Sequence, residues 1–247
     1  MDTEGLIKSI LTIGQEMLAA GGEVYRVEDT LIRILSAYEF NNINVFAITP
    51  VIVICAEKED KVYNLSRRTS EQKNDMEKLR QLNALSRYIC KNKPHTDYII
   101  ENTERIKNLC IYNKFIKNTF YFMSAASFAC IFGGNIFDMA SAGALGMFLI
   151  FTVEYLNNIK INKIFTLIIS TALTGVIAVL MKDMGLNINV ETVIMGDIML
   201  IIPGLMLASA VRDLFNGDTI AGLLRLSEAI LSGFAIAVGF ALAIAFV

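Results

Sequence analysis

The residues that could do chemistry are concentrated near the C-terminus, where Pro203, Arg212, Asp213, Asp218, Arg225 and Glu228 sit in or beside two apolar stretches. A charged side chain at a bilayer centre costs roughly 2.5–3.5 kcal/mol on insertion scales, so an Arg and a Glu kept at that depth are functional-site candidates by default. In the first stretch Asp197, Gly204, Ala208 and Arg212 are spaced seven, four and four, which puts them on one helix face, with Pro203 near the middle. Proline deprives the carbonyl of Met199 of its helical partner and bends the helix. In the second stretch Asp218, Gly222, Arg225, Glu228, Ser232, Ala235 and Gly239 form a continuous polar or small stripe. Arg225 and Glu228 lie three residues apart, close enough to pair.

Two chemistries fit this set. Arg225 and Glu228 could neutralise each other inside a bundle, with Pro203 a tolerated kink. We favour the other, in which freed carbonyls at a broken helix and a paired Arg and Glu recognise a small zwitterion or anion. Asp213 and Asp218, in the segment L-F-N-G-D-T, also fit plain turn and N-cap roles. Glu154 can reach an interface by snorkelling.

The elements that must hold these residues follow from composition. The chain has 247 residues, is 54% hydrophobic and carries only 19% charged residues. Its mean hydropathy is +0.52, too apolar for an ordinary soluble domain. Residues 1–117 hold 33 of the 46 charges, so two bodies are expected, 1–112 as a soluble α+β domain and 113–247 as a membrane domain. A net charge of −2 gives no basic field for nucleic acid. Cys55, Cys90, Cys110 and Cys130 form no C-x-x-C, and His95 is the single histidine, so neither a metal nor a cofactor is expected. The acidic start M-D-T-E lacks the basic flank of a signal peptide, which keeps the first domain in the cytoplasm.

In the first domain, apolar residues from Leu6 to Leu18 follow a helical period that Gly21 and Gly22 interrupt. A second helix begins near Glu23, with Val24, Val27, Leu31, Ile34, Leu35 and Tyr38 as its buried stripe. Arg26, Thr30 and Arg33 share the adjoining face, where the arginines pair with Glu23 or Asp29 as a solvated flank. From Asn42 the pattern becomes that of three short antiparallel strands, I-N-V-F-A-I-T, V-I-V-I-C-A and K-V-Y-N-L-S-R-R. Residues 71–93 return to helix with Met76, Leu79, Leu82, Leu85 and Ile89 on the core edge, and a polar helix covers 97–108.

Five apolar segments follow at 117–136, 138–157, 163–182, 192–212 and 219–245, each long enough to span ~30 Å of hydrocarbon. Arg105, Lys107, Lys114 and Lys117 precede the first, and Lys160 and Lys163 separate the second from the third. The positive-inside rule places the N-terminal domain in the cytoplasm and Val247 outside. The fold expected is an α-helical membrane protein of five transmembrane helices, N-in and C-out, behind a small cytoplasmic α+β domain with a three-stranded sheet.

The segments G-G-E-V-Y-R-V-E-D-T, N-V-F-A-I-T-P-V-I-V-I, L-R-Q-L-N-A-L-S-R and P-G-L-M-L-A-S-A-V-R-D-L-F-N-G-D-T-I-A-G-L-L-R-L-S-E-A together resemble the threonine/serine exporter family. The resemblance covers nearly the whole chain. It implies a multi-pass protein of the cytoplasmic (inner) membrane that exports small hydrophilic metabolites, threonine and serine or succinate-like dicarboxylates. It also implies that this is the half bearing the N-domain, with a second small integral membrane protein supplying the other half in a homo- or hetero-oligomer. By motif, Gly22, Glu23, Arg26, Glu28 and Asp29 match the N-domain signature. Pro203, Gly204, Arg212, Asp213, Gly217, Asp218, Arg225 and Glu228 match the membrane signature. The rival function is a non-transporting, membrane-anchored regulatory subunit that senses a metabolite through its cytoplasmic domain. An enzyme is not expected, since H-E-x-x-H and G-x-S-x-G are absent, and G-x-x-x-x-G-K-[ST] is absent too, which leaves no ATP site.

Overall fold

The computed structural model describes residues 3–69, 74–109 and 112–246. Cys110, the start of the helix expected from Glu71 and the terminal Val247 lie outside them. The chain forms two compact units, one of residues 1–110 with 205–227 and the other of residues 111–204 with 228–247. A single cut after residue 112 therefore does not describe it, because 205–227 folds with the N-terminal unit.

The first unit opens with α1 (Thr3–Ala19) and α2 (Val24–Ala37). Leu6, Ile7, Ile10, Ile13 and Met17 of α1 are enclosed, as are Val27, Leu31, Ile34 and Leu35 of α2. Each such Leu or Ile contributes about 1.5–3 kcal/mol by leaving water. Then come β1 (Asn41–Ile48), β2 (Val51–Lys58) and β3 (Lys61–Arg68), an antiparallel sheet in the order β1-β2-β3. In register, Ile54 faces Val45 on one side and Leu65 on the other. On β2 the buried Ile52, Ile54 and Ala56 alternate with less buried residues, the mark of a sheet packed on one face. Glu59 and Asp60 both take positive φ, as a two-residue type I′ hairpin requires.

Helices α3 (Met76–Asn92) and α4 (Thr96–Lys107) complete the layer over α1. Leu82, Leu85 and Ile89 of α3 are buried, whereas Met76, expected on the core edge, is exposed at the first turn. Asp75 caps α3 by accepting from the Lys78 amide at 2.9 Å. The Lys78 Nζ bonds the largely buried Glu16 of α1 at 2.6 Å. Helix α9 (Gly204–Phe215), from Leu205 on, and the first part of α10 (Thr219–Phe246) belong to this unit, and Ala221 joins its core.

The second unit contains α5 (Lys114–Ile131), α6 (Ile136–Asn158), α7 (Lys163–Asp183), α8 (Val190–Ile201) and the rest of α10. Asp138 anchors it: the carboxylate accepts from the Asn135 amide at 2.8 Å in a capping box and from the Asn189 amide at 2.6 Å. Glu154 of α6 meets Lys117 of α5 at 2.7 Å, both side chains exposed. Small residues set the helix spacing, most sharply at Gly239, where an added Cβ would lie 1.8 Å from the Thr171 hydroxyl of α7.

Among the described residues, α6, α7 and α10 are long and apolar enough to cross a membrane, and α8 with α9 supply a fourth span if that bent pair counts as one. The break falls at Ile202 and Pro203, as the missing proline N–H requires. The expected first span, 117–136, is not in that set. Helix α5 starts at Lys114, takes in Lys117 and Asn118, and stops at Ile131, so it is less apolar than the segment read from sequence.

Candidate functional site

The two motif sets, separated by most of the chain, meet inside the first unit. Between α1 and α2 the backbone turns through Gly21 at φ +90, where a Cβ would also fall 2.5 Å from the Asn74 side-chain oxygen. This turn presents the Gly22 carbonyl, which accepts from Arg225 Nη2 at 2.7 Å. Arg225 Nη1 donates to Asp213 Oδ2 at 2.8 Å, and both side chains are wholly enclosed. Asp213 Oδ1 and Arg225 Nε find no partner among the described residues. Arg212, the neighbour of Asp213, pairs instead with Glu23, so α9 holds the turn through two adjacent residues.

This geometry corrects two expectations. Arg225 does not pair with Glu228, whose side chain is exposed. The hairpin is the cause: Gly222 lets α10 approach α9 so closely that a Cβ would meet Leu214 at 2.7 Å, and the nearest carboxylate for Arg225 becomes Asp213. Asp213 is no turn residue, for it lies within α9 and is completely buried. Asp218 does sit just before α10, half-buried, with its carbonyl accepting from the Gly222 amide at 2.9 Å.

Around the turn is a cavity of about 290 Å³ lined by Gly22, Glu23, Arg26, Asn83, Ser209 and Arg212, with Met17, Leu79 and Leu205 as apolar wall. A carboxylate, two guanidiniums, a hydroxyl and a carboxamide thus stand against an apolar wall. Ligand sites combine few convergent polar groups with apolar surface in this way. Ser209, Asn83, Met17 and Leu79 were missed in the sequence because their spacing reads as ordinary helix packing.

Other motif residues lie elsewhere. Glu28 accepts from the Ala47 amide at 2.7 Å, tying α2 to β1. Burial pushes its carboxyl above the usual range against that hydrogen bond, and nearby Asp218 adds to the rise. Asp29 pairs with Arg33 at 2.8 Å, as one branch of the expected flank required. Pro203 sits in the break, and Gly204, the first residue of α9, has open space where a Cβ would be. Gly217 takes φ +93 in the turn before α10. In the second unit Asp197 is fully enclosed, and neither carboxylate oxygen has a partner among the described residues. Gly146 makes room beside it, a Cβ there lying 3.2 Å from Asp197 Oδ1. Cys55, Cys90 and Cys130 are free, and no group of His, Cys, Asp and Glu among the described residues could hold a metal ion.

A family model described as "Putative threonine/serine exporter" matches residues 8–247. The chain belongs to the threonine/serine exporter family. Searches of curated proteins and of solved structures found no match. As a member of the threonine/serine exporter family with several apolar helices, it is a multi-pass membrane protein and a transporter of the threonine/serine type rather than an enzyme.

Proposed function

We propose that the protein exports small hydrophilic amino acids, and that the Glu23, Arg26 and Arg212 cavity holds the solute. The observation that carries this is the convergence of both family motif sets on one cavity with charges of both signs. Arg26, which has no carboxylate partner among the described residues, takes the solute carboxylate, Glu23 takes the ammonium, and Ser209 or Asn83 meets a side-chain hydroxyl. Glu23 disfavours a dicarboxylate such as succinate, because a second carboxylate would face it. Arg225 then acts through the Gly22 carbonyl and Asp213, holding the turn in place without touching solute. Asp197, Pro203, Gly204, Asp218 and Glu228 remain pathway residues in this proposal, with the break at Pro203 as the moving joint.

The finer topology belongs to the same proposal. Helices from 114 to 246 make five spans, N-in and C-out, in the cytoplasmic membrane, supported by Lys160 and Lys163 at the turn from α6 into α7 and by the basic residues at and before the start of α5. A second small membrane protein supplies the other half, and the family resemblance alone supports that part.

A metabolite-sensing, non-transporting subunit is the second reading, favoured by the fact that every residue lining the cavity belongs to the first unit. The test loads cells with threonine, serine or succinate and follows efflux, with the chain expressed alone and beside its genomic membrane neighbour. Export predicts threonine or serine efflux that requires this chain. Efflux by the neighbour alone, unchanged on adding this chain, supports the sensing subunit.

A further inference from the structure

A second cleft, of about 540 Å³, lies between α2 and α3; it shares Arg26 and Asn83 with the first cavity but is otherwise lined by different residues. From α2 it is lined by Arg26, Asp29, Thr30 and Arg33, at spacings that share one helix face, and from α3 by Asn83, Ser86, Arg87, Cys90 and Lys91, likewise on one face. Four cations and one carboxylate therefore border it, in a chain whose net charge is −2. Asp29 is taken by Arg33. Arg26, Arg87 and Lys91 pair with no carboxylate among the described residues. Arg87 and Lys91 are one turn apart on α3.

The floor excludes some ligands and admits others. The hydroxyls of Thr30 and Ser86 donate to their own helices, at 2.7 Å to the Arg26 carbonyl and 2.9 Å to the Asn83 carbonyl. Donors for a ligand are thus the cationic heads and the Asn83 carboxamide. No aromatic or branched apolar side chain lines the cleft, so nothing in it would stack a base or hold a hydrocarbon tail. Like charges gathered around one concavity repel each other unless an anion sits among them, and planar guanidiniums suit phosphate and carboxylate oxygens in pairs.

We infer that this cleft binds a compact polyanion, an oligophosphate or a tricarboxylate, centred on Arg87 and Lys91. The inference does not rest on the export reading, because it concerns binding alone. Titration calorimetry on the purified full chain in neutral detergent at low salt tests it, with pyrophosphate and citrate as probes and acetate as the singly charged control. Saturable binding of pyrophosphate or citrate is expected, at least tenfold tighter than acetate, and whichever binds tighter identifies phosphate or carboxylate chemistry. Arg87→Gln and Lys91→Gln, both at exposed positions, should each weaken it about tenfold or more, since each removes a charge-assisted contact. Lys61→Gln, which removes an exposed charge from the start of β3, should leave it unchanged. Absence of saturable binding by both probes overturns the inference, and so does an equal effect of Lys61→Gln and Arg87→Gln.

Discussion

Arg225 and Asp213 face each other at 2.8 Å with no solvent access to either side chain, and the same guanidinium reaches the Gly22 carbonyl 203 positions earlier in the chain. One residue of α10 thereby fixes both α9 and the turn between α1 and α2. Removing one member of such a pair strands the other as an uncompensated buried charge, at a cost of about 3–5 kcal/mol. Arg225→Met should accordingly destabilise the detergent-solubilised protein by that order. Adding Asp213→Leu should recover most of the loss, because an apolar pair of similar volume is often neutral. Chemical unfolding of the parent, both single variants and the double variant measures the coupling. Purely additive effects would show that the two residues do not act as a pair.

Glu28 gives a pH signature. Burial raises its folded pKa above the ordinary value of 4.5, with Asp218 adding to the rise, so the folded state holds this proton more tightly than the unfolded chain does. Its contribution is fully present below 4.5 and is lost as pH climbs through the folded pKa. Glu28→Gln keeps an oxygen for the Ala47 amide and has no charge to bury. The variant should be more stable than the parent at pH 7, with the difference shrinking to nothing as pH falls below about 4.5. Unfolding midpoints at pH 7 and pH 4 measure it, and an equal gap at both values would contradict the burial argument.

Asp197 has no hydrogen-bond partner to lose among the described residues. Unpaired polar atoms in an apolar surrounding cost free energy, so Asp197→Asn or Asp197→Leu should leave thermal stability equal to or above that of the parent. If the carboxylate serves the solute pathway, export should nonetheless fall at least tenfold in a protein that still inserts. Stability and efflux measured on the same preparations separate the outcomes. A variant that is stable and fully active would mean Asp197 takes no part.

Local periods in the chain carried much of the architecture. The alternation along Val51–Lys58 marks a strand buried on one face, the stripe of Val27, Leu31, Ile34 and Leu35 marks α2, and Gly21 with Gly22 marks the break before it. Charges on apolar segments likewise singled out Asp197, Arg212 and Arg225, whereas the N-domain set of Gly22, Glu23, Arg26, Glu28 and Asp29 came from the family resemblance. Hidden from such reasoning was their meeting, because a bond from Arg225 to Gly22 or from Arg212 to Glu23 obeys no helical or strand period. Spacing offered Glu228 as the partner of Arg225, but hairpin closure set by Gly222 brought Asp213 instead. Glu16, alone among Ile13, Met17 and Leu18, did carry a signal, since a lone carboxylate on a buried helix face needs a cation, and Lys78 provides it.

Central to this account is a solute held at Glu23, Arg26 and Arg212, and the most direct measurement is threonine efflux by Arg26→Gln as a function of internal threonine. Arg26 is exposed and has no carboxylate partner among the described residues, so the variant should fold normally. The account predicts an apparent KM raised about tenfold or more, the loss expected when a carboxylate loses its charged partner. Efflux that matches the parent at every internal concentration would contradict it.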